Sequence, residues 1–131
     1  MLFHTMVGSN DIERSKRFYN AVLGSLGVGE AMINMAGSGH TRLFYRNPTG
    51  TNFIVSEPIN DEPATIANGS TVAFSCNSPE QVKLFHDIAV AHGGTSIEDQ
   101  PGPRESAMGI IHLAYVRDPD GNKLCAIHIP S

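Results

Sequence analysis

Residues 70–94 read STVAFSCNSPEQVKLFHDIAVAHGG and decide the fold, because they repeat an order of elements that opens the chain. The stretch begins with an apolar, β-branched run that predicts a strand. A capping Asn or Ser and Pro79 then predict a helix over about 79–92, which a pair of glycines ends. A predicted strand over 2–7 and an amphipathic helix that stops at Gly24 show the same order. The chain therefore contains an internal duplication.

Three strand-like runs follow each of the two helices. They cover about 29–36, 40–46 and 51–57 in the first half, and about 94–98, 110–117 and 122–129 in the second half. The turn sequences NPTG at 47–50 and DPDG at 118–121 predict hairpins. Each half is thus a predicted βαβββ module, with modules at about 1–58 and 70–131 and a polar, Pro-containing linker at 59–69.

The predicted fold class is α+β. Two four-stranded sheets, each backed by one helix, bury every apolar face in layers. We expect the two modules to form a curved open barrel within a single domain of residues 1–131.

Composition excludes several classes of partner. The chain has a formal net charge of -4, which weighs against nucleic acid because phosphate binding requires clustered Lys and Arg. No apolar run approaches the roughly 20 residues of a membrane span, so no membrane partner is expected. Cys76 and Cys125 do not make a disulfide framework. These features predict a cytoplasmic protein with reduced thiols.

Three segments carry a resemblance to a known family. Residues 3–27, FHTMVGSNDIERSKRFYNAVLGSLG, combine a His-containing strand, an Asp-led helix, and the pairs FY and LG. Residues 114–128, AYVRDPDGNKLCAIH, contain a DPDGN hairpin, and residues 70–94 contain a strand ending near AF before a helix and two glycines. In this order they resemble the vicinal oxygen chelate superfamily, which includes glyoxalases, bleomycin-resistance proteins and dioxygenases. The resemblance implies the duplicated fold and a homodimer, but it does not fix the function.

The resemblance also implies a metal site, to which each module gives one ligand from its first strand and one from its last strand. His4 matches the first-strand ligand of the first module. Ile54 stands where the acidic ligand is expected, and Glu57 is the only carboxylate nearby. Strand alternation places Glu57 on the opposite face from Ile54 unless a bulge intervenes.

The second module departs from the family pattern at both positions. Thr71 stands where the family often has His, and Cys125 stands where the family has Glu after GNxx. A thiolate can bind zinc or iron, but a His–Cys pair leaves the site short of the usual three or four ligands. We therefore predict no metal cofactor of the usual kind. If a divalent Zn, Ni, Mn or Fe ion is bound, its candidate ligands are His4, Glu57 and Cys125.

Without a metal, the resemblance implies a cavity that binds a small molecule, as metal-free members of the family do. The predicted pocket residues are His4, Thr71, Cys125, Arg104, His112 and Tyr115, with His40 and Arg42 as further lining candidates. Arg104 is predicted to lie in the loop PGPRES, where it can bind a carboxylate or phosphate. Alternation places His112 and Tyr115 on opposite faces of one strand.

Two functions stay open. The first is a metal-free small-molecule-binding protein. The alternative is a divergent metal-dependent lyase, isomerase or dioxygenase similar to lactoylglutathione lyase. No GxSxG or other nucleophile motif is present, so the sequence assigns no catalytic residue.

Overall fold

A computed structural model describes residues 1–130 and contains two successive βαβββ arrangements. The first arrangement consists of β1 (His4–Gly8), α1 (Ile12–Gly24), β2 (Met32–Met35), β3 (Thr41–Tyr45) and β4 (Asn52–Ser56). The second consists of β5 (Val72–Ser75), α2 (Pro79–Ala91), β6 (Thr95–Ser106), β7 (Gly109–Arg117) and β8 (Lys123–His128). Neither helix is long and apolar enough to cross a membrane.

The strands form two four-stranded sheets with the same topology. The first sheet has the order β1-β4-β3-β2, and the second sheet has the order β5-β8-β7-β6. In each sheet the first and last strands of the module run parallel, which requires the intervening helix as a crossover. The predicted α+β class and curved sheets are confirmed. Among residues 1–130 the two sheets share no paired strands, so the chain alone does not close a barrel.

Both helices begin at the predicted capping residues. The side chain of Asp11 accepts a hydrogen bond from the backbone N–H of Arg14 at 3.1 Å. The hydroxyl of Ser78 accepts one from the N–H of Gln81 at 3.1 Å. Each cap pairs a free N–H group of the first helical turn, which fixes where the helix starts.

The helix-covered faces of the two sheets share one hydrophobic core. Phe18 and Val22 of α1 and Phe85 of α2 belong to the same buried cluster. Phe53 of β4 lies edge-on to Phe74 of β5, with ring centroids 5.3 Å apart. We call these faces the inner faces of the sheets. The other faces, which we call the outer faces, consequently point away from the opposite module.

The second hairpin differs from its prediction. Strand β6 continues to Ser106, whereas the sequence predicted a strand over 94–98 and a loop for PGPRES. The longer strand is possible because its register shifts between Ile97 and Gly102, which absorbs extra residues as a bulge. Its prolines are tolerated because β6 lies at the edge of the sheet and, among the described strands, pairs with β7 alone.

The DPDG turn of the second module contacts the start of α1 in the first module. One carboxylate oxygen of Asp120 accepts from the backbone N–H of Asn10 and from Arg14 Nη2, both at 2.8 Å. The other oxygen accepts from Ser15 Oγ at 3.2 Å. A carboxylate at a helix N-terminus is favourable, because the free N–H groups there carry a partial positive charge.

A buried carboxylate lies beneath this contact. Asp118 accepts a hydrogen bond from the hydroxyl of Tyr19 at 2.5 Å and two bonds from Asn122. Asn122 in turn donates to the carbonyl of Gly8 at 3.1 Å. Burial raises the pKa of Asp118, and burial together with this carboxylate raises the pKa of Tyr19 well above its ordinary value. The two modules are thus joined by polar groups that water cannot reach.

Replacing Tyr19 by Phe is expected to lower the free energy of unfolding by about 1–3 kcal/mol, because the buried Asp118 carboxylate loses one of its donors. Urea denaturation at neutral pH measures the change. Tyr45→Phe is the matched control, since its hydroxyl donates to the neutral, half-buried Asn20. Its loss is expected to be about 1 kcal/mol or less. An equal loss in both variants would contradict the importance of the Asp118 contact.

Candidate functional site

An apolar row crosses the outer face of the first sheet. The strand register places Met6 beside Ile54, Ile54 beside Phe44, and Phe44 beside Met32. Residues paired across neighbouring strands point to the same face, so the four side chains form one continuous strip. Ile54 is 5% exposed at its centre, whereas Met6 and Met32 are 44% and 58% exposed. The position expected for an acidic ligand is therefore the middle of an apolar surface.

An equivalent row crosses the outer face of the second sheet. Here Ala73, Cys125, Tyr115 and Ile97 are neighbours in register. Burial raises the pKa of the Cys125 thiol, although a hydrogen bond with Tyr115 opposes the increase. Thr71 precedes this row by two residues and is exposed. Cys125 thus occupies the place that Ile54 has in the first sheet, as a protonated thiol among apolar neighbours.

The candidate metal ligands do not assemble within the chain. His4 is exposed at the start of β1, and Cys125 lies on the other sheet. The Glu57 side chain accepts a hydrogen bond from the backbone N–H of Thr41 at 2.6 Å. In residues 1–130, no three His, Cys, Asp or Glu side chains come close enough to hold a metal ion. The donor set implied by the resemblance therefore does not fit a single copy of this chain.

Arg104 and His112 lie on different faces of the β6–β7 hairpin: the partner of Arg104 shares the face of Tyr115 further along the strand, whereas His112 is on the other face. The prediction that Arg104 lies in a loop was wrong, because it pairs with Ile111 within the β6–β7 hairpin. Its guanidinium donates to the carbonyls of Gln100 and Pro103 at 3.0 and 3.1 Å. His112 points to the inner side and lies beside His128, with ring centroids 6.4 Å apart. Of the six predicted pocket residues, the structure brings Cys125 and Tyr115 into contact.

The larger cavity lies between the two modules and has a volume of about 1090 Å³. Its floor includes Leu23 and Phe53, and its rim includes the β3–β4 turn. All residues from 71 to 75 line it, so the unpaired edge of β5 borders this groove. Thr71 is the one predicted pocket residue in its wall. Sequence periodicity could not reveal this groove, because it depends on how the modules pack.

A smaller cavity of about 470 Å³ lies at the end of the outer face of the first sheet. Met6, Arg42 and Ser56 of the sheet form one side, and residues 57–60 and 63–65 form the other. Arg42 was a candidate from the sequence. The linker residues were not, since a polar, Pro-containing segment by itself predicts only a connection.

The chain matches known proteins over almost its whole length. A family model described as Glyoxalase/Bleomycin resistance protein/Dioxygenase superfamily matches residues 1–126. The crystal structure of a glyoxalase/bleomycin resistance protein from Albidiferax ferrireducens T118 is 52% identical, with a TM-score of 0.89 and 98% coverage of both chains.

More distant structures share the fold alone. Glyoxalase I from Zea mays is 20% identical with a TM-score of 0.73, and the match covers 96% of this chain and 45% of that one. A glyoxalase-related enzyme from Fulvimarina pelagi is 20% identical with a TM-score of 0.70, over 99% and 88% of the two chains. No curated protein matches the chain.

Both cysteines are expected to react slowly with thiol reagents in the native protein. Burial raises the pKa of Cys76 from 9.0 to about 11 and also raises that of Cys125. At about pH 8 only a small fraction of either thiol is ionised, and the thiolate is the nucleophile. Labelling followed by mass spectrometry should show protection that urea removes. Rapid native labelling of Cys125 would contradict its assignment as a buried, protonated thiol.

The same shift predicts a pH dependence of stability. The folded-state pKa of Cys76 lies above its unfolded value, so the unfolded state ionises first as the pH rises. The free energy of unfolding is therefore unaffected by this thiol below about pH 9 and decreases between about pH 9 and about pH 11. Urea denaturation at a series of pH values measures this decrease in the free energy of unfolding. Cys76→Ala should show a smaller decrease over the same pH range.

Proposed function

The chain belongs to the glyoxalase/bleomycin resistance protein/dioxygenase superfamily, and we propose that it binds a small molecule without the metal site of that superfamily's enzymes. The observation that carries the proposal is the apolar row on the first sheet. Ile54, at its centre, stands where the family has an acidic ligand, and Met6 and Phe44 flank it on the neighbouring strands. Such a surface favours an organic ligand, because apolar walls with few polar groups are typical of small-molecule pockets.

The second sheet supports the same proposal. A neutral Thr71 hydroxyl is a poor metal ligand, and the raised pKa of Cys125 disfavours the thiolate that a metal requires. Tyr115 next to Cys125 offers one hydroxyl for orienting a ligand. Thr71, Cys125 and Tyr115 are therefore better suited to packing against an organic ligand and forming single hydrogen bonds with it than to coordinating a cation.

We also propose that a second copy of the chain completes the pocket. The outer faces carry exposed apolar side chains, among them Met6 and Met32. Because the two outer faces of one chain point apart, His4 and Ile54 can face Thr71 and Cys125 only across two copies. Burial of these side chains against the partner would stabilise a homodimer. The unpaired thiols Cys76 and Cys125 favour a reducing compartment, for which we propose the cytoplasm.

The purified protein is expected to contain no stoichiometric metal and to ignore added Zn²⁺, Ni²⁺, Mn²⁺ and Fe²⁺. Elemental analysis measures the metal content. Thermal-shift assays measure the response to added metal, because a ligand that binds only the native state raises the melting temperature. A panel of organic metabolites in the same assay should contain compounds that stabilise the protein.

One tightly bound metal per chain that disappears in His4→Ala would contradict this proposal. It would favour the divergent lyase, isomerase or dioxygenase instead. Ile54→Glu provides a useful comparison, because it restores the acidic side chain at the centre of the row. If this variant binds metal and the native protein does not, the isoleucine at position 54 accounts for the missing metal site.

Met6→Glu is expected to convert a dimer to monomers, because it places a charge in an apolar interface. Analytical ultracentrifugation measures the mass. Leu84→Glu is the control, since Leu84 is similarly exposed at 48% but lies on α2, away from the outer faces. A monomeric native protein, or equal dissociation in both variants, would contradict the proposed interface.

A further inference from the structure

We infer that the ligand carries a carboxylate, which binds the guanidinium of Arg42 in the smaller cavity. The inference rests on the proposed function and deepens it by naming the chemical class of the ligand. The cavity adjoins the apolar row of the first sheet through Met6, which lines both. A ligand anchored at Arg42 therefore has its remaining atoms next to that row.

The guanidinium of Arg42 has no partner among residues 1–130. Arg42 is half-buried on β3, where the register places it beside Ser56. Its Nε atom is buried, and no described residue accepts a hydrogen bond from it. Within residues 1–130, no carboxylate forms an ion pair with it. Because the guanidinium is half-buried in a cavity wall, water screens its charge less than that of an exposed arginine, and an anion in the cavity is bound more strongly.

Other arginines in the fold are used differently. Arg14 also has a buried Nε without a partner, but its Nη2 forms an ion pair with Asp120. Arg117 donates to the carbonyl of Gly121 at 2.8 Å. Arg42 thus differs in combining a buried, unpaired nitrogen with a position in a cavity wall.

The linker forms the opposite wall and is held in place by contacts within the same chain. Ala64 exchanges two hydrogen bonds with the side chain of Asn10, at 2.7 and 3.3 Å. His40 and Asp61 are 2.7 Å apart. Gly8 permits the close approach, because a Cβ there would lie 2.9 Å from the Cβ of Ala64. The cavity is therefore formed before any ligand binds, which lowers the entropic cost of binding.

The charges in the wall favour a monocarboxylate over phosphate. Arg42 is the one basic side chain that lines the cavity within the described residues. Glu57 also lines it, and one of its oxygens is engaged by the N–H of Thr41. A dianion would be repelled by Glu57 without a second cation to compensate. Pro58, Ile59 and Pro63 supply apolar surface for a short hydrocarbon body.

The test uses the full chain with hexanoate and hexanamide at constant ionic strength. Isothermal titration and thermal shift should show saturable binding of hexanoate and weak or no binding of the uncharged amide. Arg42→Gln is expected to weaken hexanoate binding on the order of 10- to 100-fold, the effect of losing a charged hydrogen bond. Glu57→Gln should strengthen it, because a repelling charge is removed.

Arg46→Gln is the matched control, since Arg46 lies after the same strand but lines the larger cavity. It should leave hexanoate binding unchanged. Arg42→Lys keeps the charge but loses the bidentate geometry, and a partial loss is expected. It also serves as the test if Arg42→Gln does not fold.

Equal binding of acid and amide, an unchanged affinity in Arg42→Gln, or phosphate binding as tight as hexanoate would overturn the inference. Binding of neutral compounds alone would overturn it while leaving the proposed function intact. In these titrations, the absence of binding by every neutral and anionic compound tested would contradict the proposed function itself.

Discussion

The contact between the DPDG turn of the second module and the α1 helix of the first is the interaction on which the rest of the structure depends. Asp118 is buried, so its carboxylate must be hydrogen-bonded, and Tyr19 of the other module supplies one of the donors. Asp120 of the same turn, whose side chain is also buried, pairs with groups at the start of α1. These bonds fix how the two modules face each other.

That arrangement determines where function can lie. Because both inner faces are used by the shared core, binding is left to the outer faces, the groove between the modules and the cavity under the linker. The two modules keep equivalent outer positions, but they fill them differently, with Ile54 in one and Cys125 in the other. A fold that holds metal ligands at these positions can bind an organic molecule when the same positions become apolar.

The linker illustrates how a connection acquires a second role. It joins the modules in sequence, and it also binds the connection between β1 and α1 through Ala64 and Asn10. Its residues Ile59 and Pro63 line the same cavity as Arg42. An arginine that would be solvated on an open sheet is thereby left half-buried beside an apolar wall, and this combination suits a ligand with one charged end.

The sequence alone determined the duplicated βαβββ order, because helix caps, apolar periodicity and turn residues are local signals. It also led to the prediction that Ile54 and Thr71 depart from the family's metal-ligand positions, since residue type limits coordination chemistry whatever the geometry. It placed Arg104 in a loop, because prolines on an edge strand resemble a turn. Which side chains are in contact depends on the tertiary structure. Contacts between residues distant in the chain, which no local pattern encodes, produce three features. These are the separation of His4 from Cys125, the buried Nε of Arg42 and the cavity under the linker.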